Sequence, residues 1–93
     1  MSIESQTFRK DPSAALDYGF DWSDWLTSGE VLSASAWTVP TGINNDNDSR
    51  GTDTTVIWLS GGTAGQSYTI ACKVTTDDGR IDERSFVIQV ENR

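Results

Sequence analysis

Seven Lys+Arg against fourteen Asp+Glu in ninety-three residues give a formal charge of −7 at pH 7, the wrong sign for binding nucleic acid through its phosphates or docking on an anionic membrane. No apolar run approaches the roughly 18–20 residues that span a bilayer, and the polar opening from Met1 to Lys10 lacks the apolar stretch of a signal peptide. With no histidine and one cysteine, the usual general base, the commonest metal ligand and any internal disulfide framework are missing, which fits folding in a reducing cytosol without a cofactor.

Residues 1–30 are acidic and aromatic-rich, and residues 31–93 read as strands separated by Gly, Asn and Asp turns, the pattern of a small all-β sandwich. The expected division is an extended N-terminal arm over 1–15 and an Ig-like antiparallel β-sandwich over 16–93. In the arm, Asp11 before Pro12 favours a turn or an extended entry. Tyr18, Phe20 and Trp22 alternate with Asp17, Gly19 and Asp21, as in a first strand. Trp22, Trp25 and Leu26 have the i, i+3, i+4 spacing of one helical turn, with Asp21 placed to cap it and Gly29 to stop it.

Glu30 to Val39 reads as a strand of uncertain phase. Leu32, Ala34 and Ala36 fit one face while Trp37 and Val39 fit the other, so a bulge near Ala36 is expected. Asn44 to Asp53 is polar enough to be an exposed loop or a weak edge. Thr54 to Leu59 is a short strand with apolar residues on both faces, and Ser60 to Gly65 is a glycine-rich loop. Gln66 to Thr76 alternates cleanly, placing Tyr68, Ile70, Cys72 and Val74 on one face. Asp78-Gly79 marks a tight turn, and Ile81 to Glu91 runs back with Phe86, Ile88 and Val90 together. The expected core is Trp37, Trp58, Tyr68, Ile70, Cys72, Val74, Phe86 and Ile88.

Signals for chemistry are weak. Cys72 has no histidine to activate it and sits on an apolar strand face, as a buried structural cysteine does. Asn44, Asp46, Asn47, Asp48 and Asp53 offer oxygen atoms to Ca²⁺, but their spacing matches no EF-hand loop, and a solvated loop is the expectation. Gly61 to Gly65 lacks the Lys-Ser/Thr of a phosphate-binding loop. Asp77 with Asp78, and Asp82 with Glu83, are neighbours on turns or opposite strand faces rather than an acid/base pair. No enzyme activity is expected. The four tryptophans would suit either a core or a sugar-stacking platform. Trp22 and Trp25, flanked by Asp21 and Asp24, have the make-up of an interface: aromatic anchors with a polar rim.

One combination of motifs is more specific. Lys10-Asp11-Pro12-x-Ala14-x-Leu16-Asp17-Tyr18-x-x-Asp21-Trp22-x-x-Trp25-Leu26 is followed by Trp37-Thr38-Val39-Pro40 and Val56-x-Trp58-Leu59-x-Gly61-Gly62-Thr63-x-Gly65-x-x-Tyr68. Thr75-Thr76-x-x-Gly79-Arg80 and Arg84-Ser85-Phe86-x-Ile88 close the set. Over residues 8 to 93 the chain resembles phage fibre–tail adaptor proteins, small virion proteins of tailed bacteriophages. The resemblance implies an Ig-like sandwich with no enzyme activity and no cofactor. It implies assembly in the host bacterial cytoplasm into a virion, with capsid, neck, tail or fibre proteins as partners.

The function expected is therefore a structural adaptor linking a fibre or accessory protein to the particle. A capsid-decorating protein and an Ig-like carbohydrate-binding module are the alternatives. A chain of this size without disulfides gains stability from a homo-oligomer or symmetric ring. Phe8, Lys10, Asp11, Tyr18, Phe20, Trp22, Trp25 and Leu26 are the residues expected at an interface or in anchoring the arm to the sandwich. Phe8 to Asp11 are those expected to reach a neighbouring subunit.

Overall fold

A computed structural model describes residues 6–92. It contains seven strands: β1 (Gln6–Lys10), β2 (Leu16–Asp21), β3 (Leu32–Thr38), β4 (Ile43–Arg50), β5 (Thr54–Gly61), β6 (Ser67–Thr76) and β7 (Ile81–Val90). They form a four-stranded sheet in the order β1-β7-β6-β3 and a three-stranded sheet in the order β2-β5-β4. The protein is all-β, with the two sheets arranged as a sandwich.

The β6–β7 hairpin is the backbone of the larger sheet. Val74 faces Asp82 and Tyr68 faces Ile88 in an unbroken antiparallel register. Its turn closes as the alternation and Asp78-Gly79 predict, with Gly79 at a φ of 84°, where other residues are strained. The Thr76 hydroxyl accepts hydrogen bonds from the Asp78 and Arg80 amides, at 3.2 and 3.1 Å. This local side-chain bonding holds the turn.

Three features refine the expectations. Gln6–Lys10, placed by sequence in the arm, is an edge strand of this chain's own sheet and runs parallel to β7, with Phe8 opposite Ile88. The sandwich is thus not wholly antiparallel. The bulge in β3 lies between Leu32 and Ala34, not near Ala36; it turns Leu32 and then Trp37 inward from opposite phases. Within Asn44–Asp53, expected to be an exposed loop or a weak edge, the polar run as far as Arg50 is an exposed edge strand, with an irregularity between Asn45 and Asn47. A bulge and charged side chains are two ways of discouraging further strand pairing at an edge.

The core has two clusters. Ile43, Ile57, Leu59, Tyr68, Ile70, Phe86, Ile88 and Val90 form one, and Trp22, Leu32, Cys72 and Val74 the other. Phe20 and Trp37 pack against both. Phe86 is the aromatic hub, with the rings of Phe8, Tyr18 and Phe20 centred 5.6, 5.4 and 5.6 Å away. Six of the eight expected core residues are buried. Trp37 is half-buried and Trp58 is exposed.

Candidate functional site

The residues expected at an interface, or anchoring the arm, gather on one side of this chain's own core. Phe8 packs on Tyr18 at 5.2 Å between ring centres. Lys10 is fully enclosed, and its ammonium donates to the carbonyls of Gly61 and Asp11 at 2.7 and 2.9 Å. This bond joins β1 to the end of β5 in the opposite sheet, and burial lowers the Lys10 pKa. The Asp11 carboxylate accepts from the Ser13 amide and hydroxyl, an Asx turn that carries the chain from one sheet to the other. Phe8 to Asp11 therefore pair and pack within their own chain, the anchoring role expected of this stretch.

Trp22 is fully buried and its indole N–H donates to the Thr55 hydroxyl at 3.0 Å. The turn expected at Trp22–Leu26 is present: the Trp22 carbonyl accepts from the Trp25 and Leu26 amides. The Asp21 carboxylate caps it through the Ser23 amide at 2.9 Å. Hydrogen bonds from Ser23 hold that carboxyl below its ordinary range. Trp25 and Leu26 are half-buried.

Two arginines of the hairpin clasp this segment. Arg80 lies 4.4 Å over the Trp25 ring, donates to the Trp25 carbonyl at 3.0 Å and forks onto both oxygens of Glu30. Glu30 also accepts from the Thr27 amide and hydroxyl, and its side chain is fully enclosed. Arg80, then Thr76 and Thr27, hold its carboxyl far below the usual carboxylate range. Arg84 lies 4.3 Å over the Trp22 ring and donates to the Asp21 carbonyl. Sequence reasoning missed Glu30 and both arginines in these roles. For Arg84 the signal was present, since it shares a strand phase with Phe86.

The outer face of the three-stranded sheet is different. Trp58 is 43% exposed, because its neighbours Ile57 and Leu59 take the inward phase of β5. Asp17 stands directly across from it on β2 and Asn47 on β4. One step along, Val56 lies between Gly19 and Ser49. A β-carbon on Gly19 would come within 2.6 Å of the Thr55 carbonyl oxygen, so close strand approach keeps that position bare. Asp21 shares this face, and Asp46 turns to it to accept from the Ser60 hydroxyl. Among the described residues the face carries these three carboxylates and no lysine or arginine.

Other sequence candidates are dispersed. Asp46 and Asp48 accept from Ser60 and Asn45 respectively, and neither belongs to the one carboxylate group among the described residues close enough to share an ion, Glu30 with Asp77 and Asp78. Glu30 in that group is already committed to Arg80. Cys72 is fully buried, its Sγ 3.6 Å from the Thr55 hydroxyl; burial pushes the thiol up to about 11. A hollow of about 310 Å³ beside the Trp22–Val31 segment is lined by Ser23, Leu26, Thr27, Val31, Thr52 and Asp53, among others. This lining has carboxylates and hydroxyls but no partnered nucleophile and base.

The model of one protein family, the podophage GP4 fiber-tail adaptor protein gp77, matches residues 10–89. The chain belongs to this family. The match spans the sandwich from the end of β1 to within one residue of the end of β7, and the family is a structural one of bacteriophages. None of the curated proteins matches the chain.

Proposed function

We propose that this protein is a non-enzymatic virion adaptor, joining a fibre or accessory protein to the phage particle. The family match across residues 10–89 carries the reading. The geometry supports it. Both ends of the hairpin brace the N-terminal strands and turn, so the domain offers a braced block with two outer sheet faces. Other virion proteins are its partners, and a ring of copies at a symmetry axis of the neck or tail is its setting. Host cytoplasm is where it folds and assembles.

Reconstruction of the whole particle tests this. A few copies in a ring on the neck or tail, touching a fibre, are expected. Many copies tiling the head would overturn the adaptor role in favour of a decorating one.

A further inference from the structure

Resting on that adaptor reading, we propose that the outer face of the β2-β5-β4 sheet is the partner-docking surface, and that the partner is a protein presenting an arginine to Trp58 and Asp17. The chain itself supplies the comparison. Trp25 is covered by Arg80, whose guanidinium lies 4.4 Å over the ring while Glu30 takes its N–H groups. Trp22 is covered by Arg84 at 4.3 Å. Trp37 stacks on Phe20 with ring centres 5.9 Å apart. Among the described residues Trp58 has neither a ring nor a guanidinium over it. It does have a carboxylate directly across the strand, Asp17, and no ion pair engages that group among the described residues. The Trp58–Asp17 pair thus presents the tryptophan and the acid of the Trp25–Glu30 arrangement without the cation.

Charge selects the same occupant. Asp17, Asp21 and Asp46 make this face negative; Arg84 reaches Asp21 and Lys10 acts on Asp46 from within the chain, while among the described residues Asp17 has no ion pair. The outer face of the larger sheet is close to neutral, since Lys73 stands opposite Glu83. Of the two outer sheet faces, a cationic surface is therefore steered to this one. A second copy is a poor occupant, because a chain of charge −7 would set like charges against each other. Bare Gly19 and half-buried Val56 leave a flat shelf beside the ring, on which a planar guanidinium and its stem can lie.

The test is titration of the full-length protein with a nona-arginine peptide at low ionic strength, reading the indole N–H resonances. The Trp58 signal is assigned by its loss in Trp58→Thr. Trp58 is expected to shift, with the buried Trp22 unmoved. Trp58→Thr should weaken binding roughly tenfold, the scale of a stacked cation on an aromatic face. Asp17→Asn/Asp46→Asn should weaken it more than Asp24→Asn/Glu83→Gln, which removes equal charge elsewhere. A stationary Trp58 resonance, or equal loss in both charge variants, overturns the proposal. The adaptor reading fails separately, by absence of the chain from a fibre-attachment ring in the particle. If the chain sits in that ring with Trp58 facing no cationic side chain, the arginine proposal falls and the adaptor stands.

Discussion

Arg80 and Trp25 form a cation–π pair whose guanidinium sits 4.4 Å from the ring centre, and the same guanidinium neutralises the enclosed Glu30. One residue of the hairpin thereby ties down the Trp25–Glu30 part of the stretch between β2 and β3. Replacing Arg80 with Ala leaves an enclosed carboxylate without its cation, a far worse state than losing a solvent-exposed pair. Arg80→Ala should lower the urea midpoint clearly. Arg9→Ala, which breaks an exposed contact with Glu91 at 3.7 Å, should cost less than about 1 kcal/mol. Equal midpoints for the two variants would show that the clasp is not structural.

Acid should weaken the clasp in a defined direction. Glu30 is held far below its ordinary value of 4.5 by Arg80 and its threonine donors. Its contribution is complete above the unfolded-state value and is given up progressively as pH falls below about 4.5, because the unfolded chain then binds the extra proton. Thermal melts of the wild type and Glu30→Gln between pH 7 and pH 3 should therefore converge as pH falls. A constant gap would contradict the assignment.

The four tryptophans should separate by environment. Trp22→Ala removes a fully buried ring and its bond to Thr55, at a cost of about 3–5 kcal/mol. Trp58→Thr changes an exposed strand position and should stay within about 0.5 kcal/mol. Acrylamide quenching should fall markedly in Trp58→Thr, since the most accessible indole is gone.

Gly19 is required for space rather than for an unusual backbone angle. Its β-carbon would meet the Thr55 carbonyl oxygen at 2.6 Å, so Gly19→Ala should force β2 away from β5. A loss of about 1–3 kcal/mol is expected from such overpacking, measured by chemical denaturation.

Cys72 should be inert in the native protein. It is fully buried, with its thiol raised to about 11, so little thiolate exists at pH 8 and none is reachable. Labelling by a disulfide reagent should proceed only through unfolding and accelerate with urea. Fast labelling in native buffer would show that the Cys72–Val74 end of the core opens readily.

Sequence by itself determined the β6–β7 hairpin, the turn capped by Asp21, the all-β class and the family, because alternation, turn residues and local motifs are properties of short stretches. It could not say which face of β5 is inside. Both Val56–Trp58 and Ile57–Leu59 are apolar, and only the presence of the larger sheet over one of them buries Ile57 and Leu59 and leaves Trp58 in solvent. Nor could it place Gln6–Lys10, a short polar run whose partner β7 lies at the other end of the chain. The clasp of Arg80 on Trp25 and Glu30 was hidden for the same reason. Pairings between distant segments depend on how the sheets stack, and a single strand's pattern carries no record of what is laid against it.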